Sequence, residues 1–381
     1  MLRKVGIVGW GMSEQAPAIE DSRTNLVYET AHTTLEKYGV SRDDFSTVIM
    51  CSNDFYDGHT ISNVFTVEVS GAYLKDEGKV EQDGVHAMIY AAMRIAAGVH
   101  EVAMVVAYSK GSEFEPSVAL AAQLEPCIDR QYLFLNDIAM AAFQARAALD
   151  SRKLGEDVLA RVAVKNLGNA TKNPVANVRD YGVSEEDIKG SDMLFDPLRK
   201  LTAYPITDGC CVMILASEEA VKKYTDRPVW IKGMGLNQEA YHLWQRDLTR
   251  SKSCEAAAKK AYDLAGIKDP AKEIGVAEVS EMFAHQEIMF TEALGLCAEG
   301  EGAKMLESGK SALDGELPVN PSGGALSACA LNATGLIRAA EAGMQLRGEA
   351  GDHQVDGVKL AVAHGQCGPA AQNNAVVVMG M

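Results

Sequence analysis

The chain contains two successive sets of apolar and polar runs that follow the same order. Near the N-terminus, the run KVGIVGWGMSE predicts a strand and a turn, residues 25–37 have the spacing of a helix, and STVIMCS predicts another strand. The later runs VWIKGMGLNQE, SCEAAAKKAYDLAGI and EIGVAEVSEMF repeat this order. A repeat of this length predicts two duplicated halves that meet near Arg227.

Residues 111–200 differ from both halves because they are richer in charge, asparagine and proline. They precede CCVMILAS, which we interpret as the last strand of the first half, and an insertion of this length predicts a covering segment. We therefore predict an N-terminal half from 1–110 and 201–227, a covering domain from 111–200, and a C-terminal half from 228–381. The alternation of strands and helices predicts the α/β class with mixed sheets.

Composition and charge exclude several classes of function. The 381 residues are 47% hydrophobic and contain no apolar run near the ~20 residues that span a bilayer, so we expect neither membrane insertion nor a secretion signal. A net charge of −16 leaves no basic patch and argues against nucleic-acid binding. The eight cysteines contain no CxxC pair, which predicts a reducing cytoplasm and no metal site.

Three segments of the chain resemble signatures of the thiolase superfamily, in its sterol-carrier-protein-type and archaeal branch. They are LARVAVKNLGNATKNPVA, DPLRKLTAYPITDGCCVMILAS and LPVNPSGGALSACALNATGLIRAAEA. The resemblance implies two mixed-sheet βαβαβ halves in an α-β-α-β-α layering, with an α/β covering domain. It also implies coenzyme A as substrate, no permanently bound cofactor, and acyltransferase chemistry that makes or breaks a carbon–carbon bond beside a carbonyl.

The family's nucleophilic cysteine, which begins the buried helix of the first half, is replaced in this chain. Alignment on the helix end MRIAAG places Glu81 at that cysteine and Asp83 at the serine that follows it. A thiolate there is stabilised by the positive end of the helix dipole, and the same field keeps a carboxylate ionised. Glu81 is therefore a poor acyl acceptor, and two roles stay open for it, a catalytic base or a helix cap.

Two further family positions lie in the C-terminal half. In EVSEMFAHQE, Ser280 takes the place of the family's histidine or asparagine and Glu281 that of its acidic neighbour, while His285 lies one helical turn beyond. In SGGALSACALNATG, alignment backwards from ATG places Cys329 at the histidine that activates the nucleophile. His285 is a candidate base, and Cys329 is either a candidate sulfur group or a small buried residue.

The fourth family position is a proton-transferring cysteine in a C-terminal loop, which matches AHGQCGPAAQNN here. Gly365 aligns with that cysteine, His364 comes just before it, and Cys367 follows two residues later. A thiol and an imidazole in a glycine-rich loop suit proton transfer beside an anion. The alternative is a tight turn that contains an incidental cysteine.

Coenzyme A contacts are expected from two sets of residues. The resemblance implies that the NPSGG segment cradles the ligand through Asn320, Ser322, Gly323 and Gly324. Candidates for the phosphate contacts are basic residues of the covering segment, namely Lys165, Lys172, Arg199 and Lys200.

Three functions remain open at this point. The first is a non-standard thiolase that uses Cys329 or Cys367 on an unusual branched or aromatic 3-oxoacyl-CoA, such as benzoylsuccinyl-CoA. The second is a retro-aldolase for a 3-hydroxyacyl-CoA; aldolases of this fold use tyrosines near the third and fourth positions, and GGALSACALNATG and HGQCGPAAQNN contain none. The third is a non-catalytic scaffold subunit.

The resemblance also implies partner proteins. A thiolase-type homodimer is expected, together with a small separate subunit built from a zinc ribbon and an oligonucleotide-binding-type barrel. The chain itself contains no segment that matches such a module.

Overall fold

Strands from both halves of the chain form one continuous sheet. The computed structural model describes residues 3–131, 136–176 and 182–381. The strands are β1 Val5–Met12, β2 Thr47–Cys51, β3 Asp76–Val80, β4 Val102–Lys110, β5 Met193–Phe195, β6 Leu198–Arg199, β7 Asp208–Ser217, β8 Val229–Gln238, β9 Val276–Glu278, β10 Leu360–Cys367 and β11 Asn373–Gly380. Within the described residues, the main sheet has nine strands in the order β3-β2-β4-β7-β1-β8-β11-β10-β9, and β5 pairs with β6 separately.

The strand order of the first half is repeated in the second. The first half runs β3-β2-β4-β7-β1, and β9-β10-β11-β8 follows the same order from β2 onwards. At the position that β3 occupies in the first half, the second half has a single parallel bridge, between Ala277 and Val319. The duplicated α/β fold predicted from the sequence is therefore confirmed. The two half-sheets are joined rather than separate, because β1 pairs with β8 in an antiparallel ladder.

Two buried helices lie between the half-sheets. The helices are α1 Arg23–Tyr38, α2 Asp54–Asp57, α3 Gly84–Ala96, α4 Pro116–Ala122, α5 Asp137–Arg152, α6 Asp157–Ala170, α7 Glu185–Gly190, α8 Lys252–Ala265, α9 Pro270–Glu273, α10 Ala284–Ala293, α11 Gly302–Glu307, α12 Gly324–Ser327 and α13 Thr334–Arg347. α3 and α13 pack together against strands of both halves. α1 covers the outer face of the first half-sheet, and α8 and α10 cover that of the second. Most residues around α3 and α13 are buried, as is typical of helices that are packed on all sides.

Asp83 fixes the crossing of the two buried helices. It is the N-cap of α3, with Oδ1 accepting from the backbone N–H of Val85 at 2.9 Å, and its Oδ2 accepts from the backbone N–H of Gly335 in α13, also at 2.9 Å. The helices approach closely there, because a Cβ on Gly84 would lie 2.5 Å from the backbone nitrogen of Leu336. One carboxylate thus satisfies backbone donors at the starts of both helices.

The described part of the segment between β4 and β7 is mostly helical. α5 and α6 pack on α10 through an apolar cluster of their own. Asn136 caps α5 by accepting from the backbone N–H of Ala139 at 2.9 Å, which orients the first turn of that helix. In the described ranges, no helix combines the length and the apolar character needed to cross a membrane.

Candidate active site

A cavity of about 240 Å³ lies beside the N-terminal end of α3. Its walls come from residues 53–56, the 81–82 turn before α3, the 123–124 turn, the first turn of α5, and 366–373 between β10 and β11. Tyr204, Met282 and Leu331 also line it. The sequence-predicted residues Glu81 and Cys367 are part of this wall.

A tyrosine and a carboxylate form the most reactive pair in the cavity wall. The Tyr204 hydroxyl donates a hydrogen bond to Oδ2 of Asp137 at 3.2 Å. Asp137 keeps some surface towards the cavity, but protein surrounds it otherwise, and this desolvation raises the pKa of its carboxyl to about 6. Desolvation, followed by the charge of Asp137, raises the pKa of Tyr204 well above its usual value. The pair therefore combines a base active near neutral pH with a hydroxyl that stays protonated.

A second tyrosine and an unpaired amide share this wall. Burial raises the pKa of Tyr56, and the neighbouring Gln123 side chain opposes that shift. Nε2 of Gln123 is buried and has no hydrogen-bond partner among the described residues. Buried amide donors are nearly always paired in folded proteins, and the Tyr56 hydroxyl is the polar group beside this one.

Glu81 lies at the rim of the cavity and not at the helix cap. Its side chain is 45% exposed and pairs with Lys79 at 3.0 Å, and Lys79 also binds Asp54. The backbone carbonyl of Glu81 accepts from the side-chain amide of Asn332 at 2.9 Å. Of its two predicted roles, capping belongs instead to Asp83.

The two candidate cysteines occupy different surroundings. Cys367 lines the cavity, whereas Cys329 is fully buried next to it, with Sγ 3.3 Å from Oγ1 of Thr334. Burial raises the pKa of Cys329 to about 12, and burial followed by the charge of Asp83 raises the pKa of Cys367. Both thiols are protonated at neutral pH, so neither has the thiolate that a nucleophile requires.

The two candidate histidines lie outside the cavity wall and are held as neutral rings. Nε2 of His364 donates to Oδ1 of Asn374 at 2.7 Å, and its Nδ1 accepts from the backbone N–H of Ser280 at 3.4 Å. Nε2 of His285 donates to Oε1 of Gln144 at 3.0 Å. Burial lowers the pKa of His364 to about 4 and that of His285 to about 3. Both are weak bases, which corrects the roles predicted for them.

Ser280 and Glu281 are also turned away from the cavity. The Ser280 hydroxyl donates to the carbonyl of His364 at 2.8 Å. Glu281 accepts from the amides of Asn166 at 2.8 Å and Asn320 at 2.7 Å, and burial, followed by the charge of Glu287, raises its pKa to about 8. Neither residue lines the cavity, so their predicted catalytic roles gain no support from the geometry.

Glu281 belongs to a closed group of charges that we name the carboxylate cluster. Its members are Glu278, Glu281, Glu287 and Glu341, with Lys165, Arg338 and His353 as their basic partners. Arg338 lies 3.2 Å from Glu278, and His353 lies 3.0 Å from Glu341. All four carboxylates are fully or almost fully buried, so the cluster is part of the protein interior.

The NPSGG segment packs against this cluster. Asn320 donates to Glu281 and Glu287, and the Ser322 hydroxyl donates to Glu278 at 2.6 Å. A Cβ on Gly323 would lie 2.6 Å from the Cβ of Ala170, and one on Gly324 would lie 2.0 Å from Oε1 of Glu281. The glycines are therefore required by close packing under α6. The segment is buried, which corrects the expectation that these four residues cradle a ligand directly.

The four basic residues predicted for coenzyme A phosphates are not brought together. Lys165 pairs with Glu287 at 2.9 Å and donates to the carbonyl of Val319 at 2.7 Å, so its charge is already neutralised. Lys172 lies in a separate cleft beside His353, and Arg199 donates to the carbonyl of Ser191 at 3.1 Å. Lys200 is exposed, and none of the four lines the cavity. The geometry gives no support to one phosphate site formed by these four residues.

The residues that sequence reasoning missed are Tyr56, Gln123, Asp137 and Tyr204. Tyr204 stands inside the quoted signature DPLRKLTAYPITDGCCVMILAS, and Asp137 is the first residue of α5. No spacing links them, because they come from four separate segments. The sequence offered no stronger signal than an acidic residue near the start of a helix-like segment and a tyrosine within a family signature.

Comparison with known proteins supports the resemblance. Residues 235–380 match the family described as thiolase C-terminal domain-like. The chain is 30% identical to an acetyl-CoA acetyltransferase of Methanothermobacter thermautotrophicus, over 95% of this chain and 96% of that protein. The chain belongs to the thiolase superfamily. The archaeal relative agrees with the branch predicted from the sequence.

Two further matches concern part of the sequence and the fold. The chain is 32% identical to the benzoylsuccinyl-CoA thiolase subunit BbsB of Thauera aromatica over 209 residues, which cover 54% of each protein. Its fold matches the solved Ltp2–ChsH2(DUF35) aldolase with a TM-score of 0.85 and 21% identity, over 100% of this chain and 98% of that one. The structural match concerns the fold alone.

Proposed function

We propose that this protein makes or breaks a carbon–carbon bond beside the carbonyl of a coenzyme A thioester, with the acyl group in the cavity. Thiolase-superfamily membership supports the thioester, since a relative is named acetyl-CoA acetyltransferase. The observation that carries the proposal is the Tyr204–Asp137 pair, which faces the cavity with its proton-transfer groups 3.2 Å apart. Coenzyme A enters as substrate, and the chemistry needs no resident cofactor.

A retro-aldol cleavage of a 3-hydroxyacyl-CoA suits this pair best. Asp137 accepts the proton of the 3-hydroxyl group, and the O–H electrons form the carbonyl of the departing aldehyde or ketone. The C2–C3 bond breaks, and its electron pair forms the enolate of the shortened thioester. C2 then takes a proton from Tyr204, which regains one from Asp137. No acyl-enzyme is formed, so the two protonated thiols and the glutamate at the usual cysteine position are compatible with this route.

The developing enolate requires a hydrogen-bond donor. Nε2 of Gln123 is buried without a partner, and it is the donor that we assign to the thioester oxygen. The Tyr56 hydroxyl lies beside the same amide and stays protonated because burial raises its pKa. The segments GGALSACALNATG and HGQCGPAAQNN contain no tyrosine, which argued against an aldolase. Tyr56 and Tyr204, however, reach the cavity from other segments, so the cavity does contain tyrosines.

A thiolase reaction through Cys367 is the second candidate. Among the described residues of the cavity wall, Cys367 is the one thiol, and the similarity to BbsB favours an acyltransferase. This route requires a base that removes the thiol proton, because burial and Asp83 raise the pKa of Cys367. Asp137 is the base within the same wall.

We also propose that the protein acts with a separate small subunit and as a homodimer. The names of two similar proteins support the subunit, since one is described as a thiolase subunit and the other as a two-component aldolase. Co-expression with a neighbouring gene for a zinc-ribbon protein, followed by light scattering on the purified complex, tests both associations. A monomer that does not bind that protein would contradict them.

The decisive experiment compares Asp137→Asn and Tyr204→Phe with the wild-type protein. A panel of 3-hydroxyacyl-CoA and 3-oxoacyl-CoA thioesters is incubated with the complex, and the shortened thioester is quantified by mass spectrometry. Both variants are expected to lower kcat by about 100-fold or more, the size of an acid–base contribution. The exposed Tyr28 on α1, changed to phenylalanine, is the matched control.

Three outcomes separate the candidates. Wild-type rates in both variants would overturn the acid–base assignment. An acyl adduct on Cys367, detected by peptide mapping after quenching, would establish the thiolase route instead. Tight coenzyme A binding without turnover of any thioester would identify a scaffold subunit.

A further inference from the structure

The charged side chains that line the described part of the cavity are both acidic. Among the described residues that line it, the charged ones are Glu81 and Asp137, and the wall contains no lysine, arginine or histidine. Lys79 stands behind the rim and pairs with Glu81, but it also pairs with Asp54. These three residues therefore keep a net negative charge, and Asp137 adds to it at neutral pH.

Carboxamides provide most of the remaining polarity of the wall. They are six in number, namely Asn53, Gln82, Gln123, Asn332, Gln366 and Asn373. Several have part of their hydrogen-bonding capacity occupied. The amide of Asn332 donates to the carbonyls of Glu81 and Gln82, and that of Gln366 donates to Ser280 and Gln286, which leaves their side-chain oxygens as acceptors.

Amides recognise neutral hydroxyl and carbonyl groups, because each side chain offers both donors and acceptors without a charge. An aliphatic acyl chain would remove these amides from water without replacing their hydrogen bonds, which is unfavourable. A free carboxylate on the acyl group would meet Glu81 and Asp137 directly, whereas the nearby cations among the described residues already bind other groups: Lys79 pairs with Glu81 and Asp54, and Arg246 donates to the carbonyl of Pro369. The cavity volume of about 240 Å³ is also below the ~300–1,000 Å³ typical of sites for larger ligands.

We propose that the acyl group of the substrate is small and uncharged and carries a hydroxyl or carbonyl group beyond the thioester, and that Glu81 and Asp137 reject acyl groups with a free carboxylate. This inference rests on the proposed function, because it assumes that the acyl group occupies the cavity. It favours neutral hydroxyacyl or oxoacyl thioesters over succinyl-type thioesters, including the benzoylsuccinyl-CoA considered from the sequence.

The test uses matched ligands that differ in charge alone. Two non-hydrolysable thioether analogues of an acyl-CoA are prepared, one with a terminal carboxylate and the other with the isosteric carboxamide. The Kd of each analogue is measured by calorimetry on the protein in complex with its partner, at low salt. We expect the Kd of the carboxamide to be roughly 10- to 100-fold lower than that of the carboxylate, because like charges within a few ångströms repel each other. Glu81→Gln is expected to reduce this ratio about tenfold, whereas the exposed Glu316→Gln serves as control.

The possible results distinguish this inference from the proposed function. Equal affinities, or tighter binding of the carboxylate, would overturn the charge selection even if turnover confirms the carbon–carbon chemistry. The expected ratio in a protein without turnover would support the selection while the proposed reaction fails. If substitutions at Glu81 and Asp137 leave the Kd of both analogues unchanged, the acyl group binds elsewhere and the inference is wrong.

Discussion

The cavity and the carboxylate cluster both contain buried acidic groups, but they differ in what surrounds those groups. In the cluster, Glu278 has Arg338 and Ser322 as partners, and Glu281 has the amides of Asn166 and Asn320. In the cavity, Asp137 accepts a hydrogen bond from one hydroxyl of the described residues and faces open space. The family signature NPSGG belongs to the cluster. A conspicuous motif can therefore maintain the scaffold, while the reactive groups come from segments without a motif.

The largest expected effect is on the cluster. Arg338→Met leaves Glu278 without its cation, and we expect the free energy of unfolding to fall by about 3–5 kcal/mol, as for other broken buried ion pairs. Urea denaturation measures this. Lys259→Ala, which removes an exposed pair with Asp263, is the control and should change the value by less than about 0.5 kcal/mol. A loss of similar size in Tyr204→Phe would remove the distinction between the two regions.

The two regions should also respond differently to pH. Burial raises the pKa of Glu278 to about 7 and of Glu281 to about 8, from 4.5 when unfolded. Between the unfolded and folded pKa values the folded protein binds more protons than the unfolded chain, so the free energy of unfolding should fall as pH rises from 5 to 8.5. Activity should change in the opposite direction, because Asp137, with a pKa of about 6, must be deprotonated to act as a base.

Denaturation midpoints and kcat measured across this pH range check the prediction. Glu281→Gln removes one of the raised carboxyls, and it should flatten the stability profile without moving the midpoint of the activity profile. A stability that increases towards pH 8.5 in the wild-type protein would contradict the assignment of the cluster.

The smallest effect is expected from the cysteines. Cys367→Ala removes the thiol in the cavity wall, and Cys329→Ala removes the buried one beside it. If the chemistry proceeds by acid and base, both variants should keep kcat within about threefold, since neither thiol transfers a proton. A loss of more than 100-fold in Cys367→Ala alone would place the reaction on that sulfur.

The sequence predicted the fold more completely than the site, for a physical reason. Strand and helix patterns are local, so the repeated order around β1 and β8 could be found from neighbouring residues. Cavity walls are not local, because Tyr56, Asp137 and Tyr204 meet only when segments far apart in the chain pack together. Ion pairs are equally hidden, and the assignment of Lys165 to a phosphate failed because Glu287, its partner, belongs to another helix.

Alignment to the family located some positions and misjudged their roles. Glu81 and Cys367 do line the cavity, whereas His285, His364, Ser280 and Cys329 do not. The residues outside the cavity wall are also less reactive, because burial lowers the pKa of both histidines and raises that of Cys329. Exposure to the cavity cannot be obtained from a single sequence.

The double use of Asp83 makes the two duplicated halves unequal. α3 has its own cap in Asp83, but α13 begins after Ala333, which provides no side-chain cap, and its Gly335 depends on the same aspartate. The start of the central helix in the second half thus relies on a side chain of the first half. In the C-terminal half expressed alone, the backbone N–H of Gly335 would lose this carboxylate and turn to water, so α13 would start without a side-chain cap.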